Sequence, residues 1–193
     1  RWIEVARPTR VCTTILEQGG RRATELVENA GSLDAESLAQ FADAFAELAH
    51  SAQVAVLTGS LPDGAPPAYY RDLAARTDCP LVMDVRGPEL LEALPVRPFL
   101  VKPNREELAK TVGADLSDDT ALHTAMQMLN QRGAQWVVVT AGALPAWATN
   151  GGQRYRFDPP QVDVVNPIGS GDCLAAGIAA GIARGEAPLD AIR

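Results

Sequence analysis

From Val54 to Thr140 the chain repeats one pattern: a short apolar run of β-forming residues, a polar or glycine-rich loop, and an amphipathic helix. The apolar runs are Val54 to Thr58, Leu81 to Val85, Phe99 to Val101 and Trp136 to Thr140. Helical stretches alternate with them at Pro66 to Arg76, Pro88 to Leu94, Arg105 to Val112 and Asp118 to Gln131. Strands that read as continuous apolar runs are buried on both faces, so the alternation predicts a mostly parallel sheet covered by helices on either side, a three-layer α/β domain. Ahead of it, Asp34 to Ala49 predicts a helix whose core face carries Leu38, Phe41, Phe45 and Leu48, with Ser32 or Asp34 placed to cap its start.

The flanks read differently. Cys12 to Leu16 and Ala23 to Val27 flank Glu17-Gln18-Gly19-Gly20 and predict a hairpin. Asn150-Gly151-Gly152 gives a second hairpin signal between Ala146 to Thr149 and Gln153 to Phe157, with Val162 to Val165 expected to extend that edge. After Gly171 a helix is predicted to about Ala183, and another begins near Pro188.

With 193 residues, 47% of them hydrophobic and 21% charged, the chain can bury one substantial core. Its longest nearly uninterrupted apolar run, Cys173 to Ala183, is well short of the roughly 20 residues a membrane-spanning helix needs, so no membrane partner is expected. A net charge of −7 argues against a nucleic-acid partner, because such partners select basic faces. An anionic substrate would therefore depend on local cations. Cys12, Cys79 and Cys173 stand far apart with no CxxC spacing, and with His50 and His123 they form no zinc pattern, so a reducing cytoplasm is the expected location. The start, Arg1-Trp2-Ile3-Glu4, has neither an initiator Met nor the order of a secretory signal, and a cut or processed chain is expected.

In α/β sheets ligands gather at the carboxyl ends of the strands. Four clusters occupy such ends: Thr58 to Gly64, Lys102 to Glu107, Thr140 to Gly142 and Asn166 to Asp172. In the last, Gly169 and Gly171 follow a turn containing Pro167 and precede a small-residue helix, which lets backbone N–H groups approach an anion at a helix N-terminus. Asp172 in that first turn is suited to accept a proton from an attacking hydroxyl. The same residues also suit a tight turn with Asp172 as a helix cap. The Walker A pattern GxxxxGK[ST] is absent, and Leu174 stands where a dinucleotide fingerprint needs Gly or Ala, which leaves a dinucleotide-dependent oxidoreductase as a weak reading. Asn104 with Glu107 has capping-box spacing, Thr140-Ala141-Gly142 suits a plain turn, and Arg10 and Asp84 read equally as a strand-end arginine and a strand-end carboxylate. His50 and His123 are expected in surface or packing roles, and Cys173 as a small buried residue at a helix start.

Taken together, these clusters resemble the ribokinase-like, or PfkB, family of carbohydrate kinases. Asn166 to Asp172 followed by Ala175, Ala176 and Gly177 is similar to the signature [DN]-x-x-G-[AS]-G-D. Lys102-Pro103-Asn104-Arg105-Glu106-Glu107 is similar to the family's KPN-x-x-E segment, and Gly59-Ser60-Leu61-Pro62-x-Gly64 to its GSLPxG loop, in the family's order. The similarity extends from Thr9 onward and points to the phosphosugar branch, the 1-phosphofructokinase and tagatose-6-phosphate kinase type.

The resemblance implies an ATP-dependent phosphorylation of a ketohexose monophosphate, with fructose 1-phosphate, fructose 6-phosphate and tagatose 6-phosphate as examples of the substrate. A non-phosphorylated sugar or nucleoside as acceptor, or a catalytically silent binding module, stand as alternatives. It implies Asp172 as the catalytic base, with the amides of Gly169, Ser170 and Gly171 on the transferring phosphoryl group. ATP would meet Lys102, Thr140 and Gly142, and Mg²⁺ would be organised by Asn104, Glu107 and Asp84, largely through water. Arg10, Gly59 and Ser60 would hold the sugar phosphate. The resemblance further implies a ribokinase-like fold in which residues 1–30 form part of a small β lid, a surface through which such kinases pair as homodimers, and residues 31–193 form the kinase core. Family members carry further strands before this stretch and adenine-walling residues after it, so the chain is expected to be part of a longer kinase.

Overall fold

The computed structural model describes residues 2–17, 23–164 and 166–193. Two sheets form. Strands β1 (Cys12–Leu16) and β2 (Ala23–Val27) make an antiparallel pair of their own, Cys12 opposite Val27 and Leu16 opposite Ala23. The predicted turn residues Gly19 and Gly20 lie outside the described residues.

The main sheet has six strands in chain order: β3 (Ala55–Thr58), β4 (Leu81–Asp84), β5 (Leu100–Val101), β6 (Trp136–Ala141), β7 (Leu144–Thr149) and β8 (Arg154–Phe157). The pairs from β3 to β6 are parallel, and β6, β7 and β8 continue as antiparallel hairpins. Period-two alternation splits each central strand between two cores. Leu81, Met83, Val101, Val137 and Val139 face one cluster, built with helices α1 (Ala35–Ala49), α2 (Tyr69–Ala74), α3 (Gly87–Ala93), α4 (Arg105–Val112) and α5 (Asp119–Arg132). Val82, Leu100 and Val138 face the other, with α6 (Ser170–Ala183) and α7 (Pro188–Ile192). The three-layer, mostly parallel α/β architecture is the one expected.

Asp34 caps α1, its carboxylate accepting from the Ser37 amide at 2.7 Å. The expected core face of α1 needs correction: Leu38 is buried and Phe45 half-buried, whereas Phe41 and Leu48 are exposed. Strand β3 is the sheet's edge among the described residues, so no strand lies beneath the outer half of that stripe. Helix α2 is shorter than expected: it closes only at Tyr69, and Arg76 and Thr77 finish it with tighter bonds to the carbonyls of Leu73 and Ala74. Residues 162–164 form no strand, and Val165 lies outside the described residues. No helix among the described residues is long and apolar enough to cross a membrane.

Candidate active site

Three strand ends and one helix start build a single cavity of about 760 Å³. Asp84 ends β4, Lys102 and Asn104 follow β5, Thr140 lies near the end of β6 with Gly142 in the turn to β7, and Gly169 to Asp172 open α6; together with Glu107 they line it. Arg10, Gly59 and Ser60 line a neighbouring cavity of about 340 Å³. Thr58, which the sequence did not single out as a site residue, joins the two: it lines the second and its hydroxyl approaches Asp172 Oδ1, in the first, at 3.5 Å.

The start of α6 follows from Gly169, the N-cap, which takes a left-handed φ of 78° that a side chain would strain. The helix therefore begins at Ser170 rather than after Gly171. Ser170 turns its amide back to the Pro167 carbonyl at 3.2 Å, closing the turn, while the amides of Gly171 and Asp172 donate to no described residue. Those free donors at the positive end of a 14-residue helix are the groups an anion would require at this corner. Cys173, expected buried, is exposed: it stands two residues before buried Ala175 and so roughly 200° around the helix from it.

Beneath that corner lies an ion pair. Lys102, only 3% exposed, places Nζ 2.9 Å from Asp84 Oδ2. A Cβ on Gly171 would stand 3.5 Å from that ammonium and 3.9 Å from the carboxylate, so the glycine brings helix backbone close over the pair. Burial pushes the Asp84 carboxyl up from its ordinary value; Lys102 pulls the other way, and the charges of Glu107 and Asp172 add to the rise.

Asn104 caps α4 in a complete capping box: its Oδ1 accepts from the Glu107 amide and Glu107 Oε2 accepts from the Asn104 amide, each at 2.9 Å. Glu107 Oε1 accepts from Arg86 at 3.3 Å, an arginine absent from the sequence expectations. Asn104 also bridges to Thr140 in parallel fashion beside a β6 irregularity at Val139 and Ala141, which ties the two loops together. These polar atoms are committed within the chain, and no group of three or more His, Cys, Asp or Glu side chains among the described residues could hold a metal directly. Asp84, Glu107 and Asp172 nonetheless bring like charge close enough to raise the Asp84 pKa. A divalent cation there would have to be held through its waters rather than by direct carboxylate ligands.

In the second cavity Arg10 Nη1 donates to Ser60 Oγ at 3.1 Å, joining the segment before β1 to the loop after β3. His123, on α5, is only 9% exposed and packs edge-on against Trp147 with ring centroids 4.5 Å apart, a packing role as expected.

This architecture recurs in solved sugar-phosphate kinases. A phosphofructokinase candidate from Staphylococcus aureus is 27% identical over the whole chain, which covers 62% of it, with a TM-score of 0.77. Phosphofructokinase-2 from Escherichia coli, solved with fructose 6-phosphate, is 22% identical with a TM-score of 0.82, over 94% of this chain and 60% of its own. A 1-phosphofructokinase candidate from Thermotoga maritima gives 17%, 0.85, 95% and 60%. The chain thus spans about 60% of the length of these proteins. The profile of the pfkB carbohydrate kinases matches residues 2–193, and the chain belongs to that family.

Proposed function

We propose that this chain carries the phosphoryl-transfer centre of an ATP-dependent kinase acting on a ketohexose monophosphate such as fructose 1-phosphate, fructose 6-phosphate or tagatose 6-phosphate. One observation carries the reading: Asp172 stands between an anion-binding helix start and, through Thr58, a cavity that presents Arg10 and Ser60. An acceptor sugar gripped by its phosphate at Arg10 would turn a hydroxyl toward Asp172.

In that arrangement the Asp172 carboxylate takes the hydroxyl proton as the sugar oxygen bonds to the γ-phosphorus of ATP and the bond to the bridging oxygen of ADP breaks. The free amides at Gly171 and Asp172, and the Gly169 turn behind them, stabilise charge on the transferring group. Lys102 contributes its positive charge from beneath Gly171 rather than from an open surface. Thr140 and Gly142 border the nucleotide end of the cavity. Asn104, Glu107 and Asp84 are the residues that would hold hydrated Mg²⁺, whose charge offsets that of the phosphates.

Residues 1–30 form the lid and residues 31–193 the core in this reading. Ile15, Leu16, Leu26 and Val27 of the hairpin are exposed, which supports pairing of two copies through the lid; phosphofructokinase-2 of Escherichia coli has a tetrameric form. The test is a kinase assay of the intact protein against the three hexose phosphates with Mg·ATP. Turnover of one of them is expected, with Asp172→Asn lowering kcat by about 10²- to 10⁴-fold while the thermal transition stays in place. Near-normal turnover by that variant would remove Asp172 as the base.

A further inference from the structure

We propose that the Tyr70 hydroxyl is a positioning residue that holds the acceptor end of the site against the base, by fixing the backbone of Thr58 and Gly59. The inference rests on the kinase reading above for its kinetic consequence, though not for its geometry.

Tyr70 lies on α2, is 7% exposed, and belongs to the apolar cluster under the sheet. Its ring would be satisfied there as a phenylalanine. The hydroxyl does something a phenylalanine could not: it donates to the carbonyl of Gly59 at 3.1 Å and is shared with that of Thr58 at 3.3 Å. Burial raises its pKa, so it remains a proton donor. From the other side, the Gly59 amide donates to the carbonyl of Asp84 at 3.3 Å, and Gly59 turns with φ of 95°. The two peptide units are thereby gripped from below and from the neighbouring strand.

What these units carry gives the grip its importance. Thr58 extends its hydroxyl to Asp172, and Ser60, the next residue along, accepts from Arg10. Thr58 and Ser60 are exposed, and the exposed turn between the two cavities gets little support from packing of its own. Loss of the Tyr70 proton would leave the phosphate grip and the base free to drift relative to each other, and a misplacement of about 1 Å is enough to slow a positioned reaction substantially. Tyr69, its neighbour, provides a matched comparison: its hydroxyl donates to the Leu38 carbonyl at 2.6 Å, away from both cavities.

The experiment compares Tyr70→Phe and Tyr69→Phe in the intact protein, with fructose 6-phosphate as acceptor and with amide hydrogen exchange as a readout independent of turnover. Tyr70→Phe is expected to raise KM for the sugar phosphate about fivefold and lower kcat, to leave KM for ATP unchanged, and to speed exchange over residues 59–64. Tyr69→Phe should do none of these, even where the two variants melt alike. Equal kinetic effects in both variants, or unchanged exchange over residues 59–64 in Tyr70→Phe, overturn the proposal. If the unaltered protein fails to phosphorylate any hexose phosphate, the kinase reading falls, and exchange alone then decides whether Tyr70 fixes the turn.

Discussion

The two ends of the site are built in opposite ways. At the phosphoryl end, Lys102 and Asp84 are sunk below the helix start, Asn104 and Glu107 lock each other, and strand ladders run almost to the reacting corner. At the acceptor end, Arg10 and Ser60 are exposed, and a single side-chain hydrogen bond joins them across segments 50 residues apart in sequence. The first end is preorganised by the fold and the second is assembled on it. Damage to the buried pair or the locked cap of the first should therefore cost stability, and damage to the second should cost substrate binding and turnover rather than stability.

The sharpest way to break that contrast is Lys102→Met. It leaves Asp84 buried without its partner, and loss of one member of a buried pair costs about 3–5 kcal/mol. The pH dependence follows from the direction of the Asp84 shift. A carboxyl whose pKa is higher folded than unfolded binds its proton more tightly in the folded state, so its destabilising effect is present above the folded pKa and is relieved as pH falls through it. The variant should therefore lose most stability near neutrality and recover part of it as pH falls toward the ordinary carboxyl value of 3.8, and Lys102→Met with Asp84→Asn should recover more, as read from urea unfolding. A loss below about 1 kcal/mol would mean that water already screens the pair.

Arg10→Ala is the matching change at the other end. Arg10 is exposed and, among the described residues, its hydrogen bond is to an exposed serine, so the thermal midpoint should move by no more than about 1 °C. KM for the sugar phosphate should rise about tenfold or more, while KM for ATP holds. An equal rise for both substrates would place Arg10 outside the acceptor subsite.

Which features were legible in the sequence follows the same division between local and distant. The start of α4 was readable because Asn104 and Glu107 signal it within three residues. The cavity itself was readable, since strand ends in a parallel sheet converge wherever the chain puts chemistry there. The burial of Lys102 was not: its partner lies 18 residues earlier, on the neighbouring strand, and nothing near Lys102 announces it. Thr58 and Asp172 are separated by 114 residues, so their approach exists only in the fold. Phe41 and Leu48 show a further limit. Helical spacing tells which residues share a face, and whether anything covers that face depends on where the sheet ends.

The smallest effect expected concerns His123, which lines neither cavity. It packs against Trp147, and burial, helped by Arg154, lowers its pKa from the ordinary 6.5. A histidine with a lower pKa folded than unfolded is neutral in the folded protein while the unfolded chain takes up the proton. Its contribution is therefore complete above pH 6.5 and is lost as pH falls from there through the folded pKa. As pH falls below 6.5 the unaltered protein should therefore lose thermal midpoint from this source. His123→Phe keeps an aromatic ring against Trp147 and removes the proton, so it should flatten that slope while leaving both KM values unchanged. If the slope survives the substitution, His123 is not its source, and neither is Asp84, whose raised pKa makes the folded protein gain stability as pH falls. The contrast between the two ends would then have to be measured at a single pH.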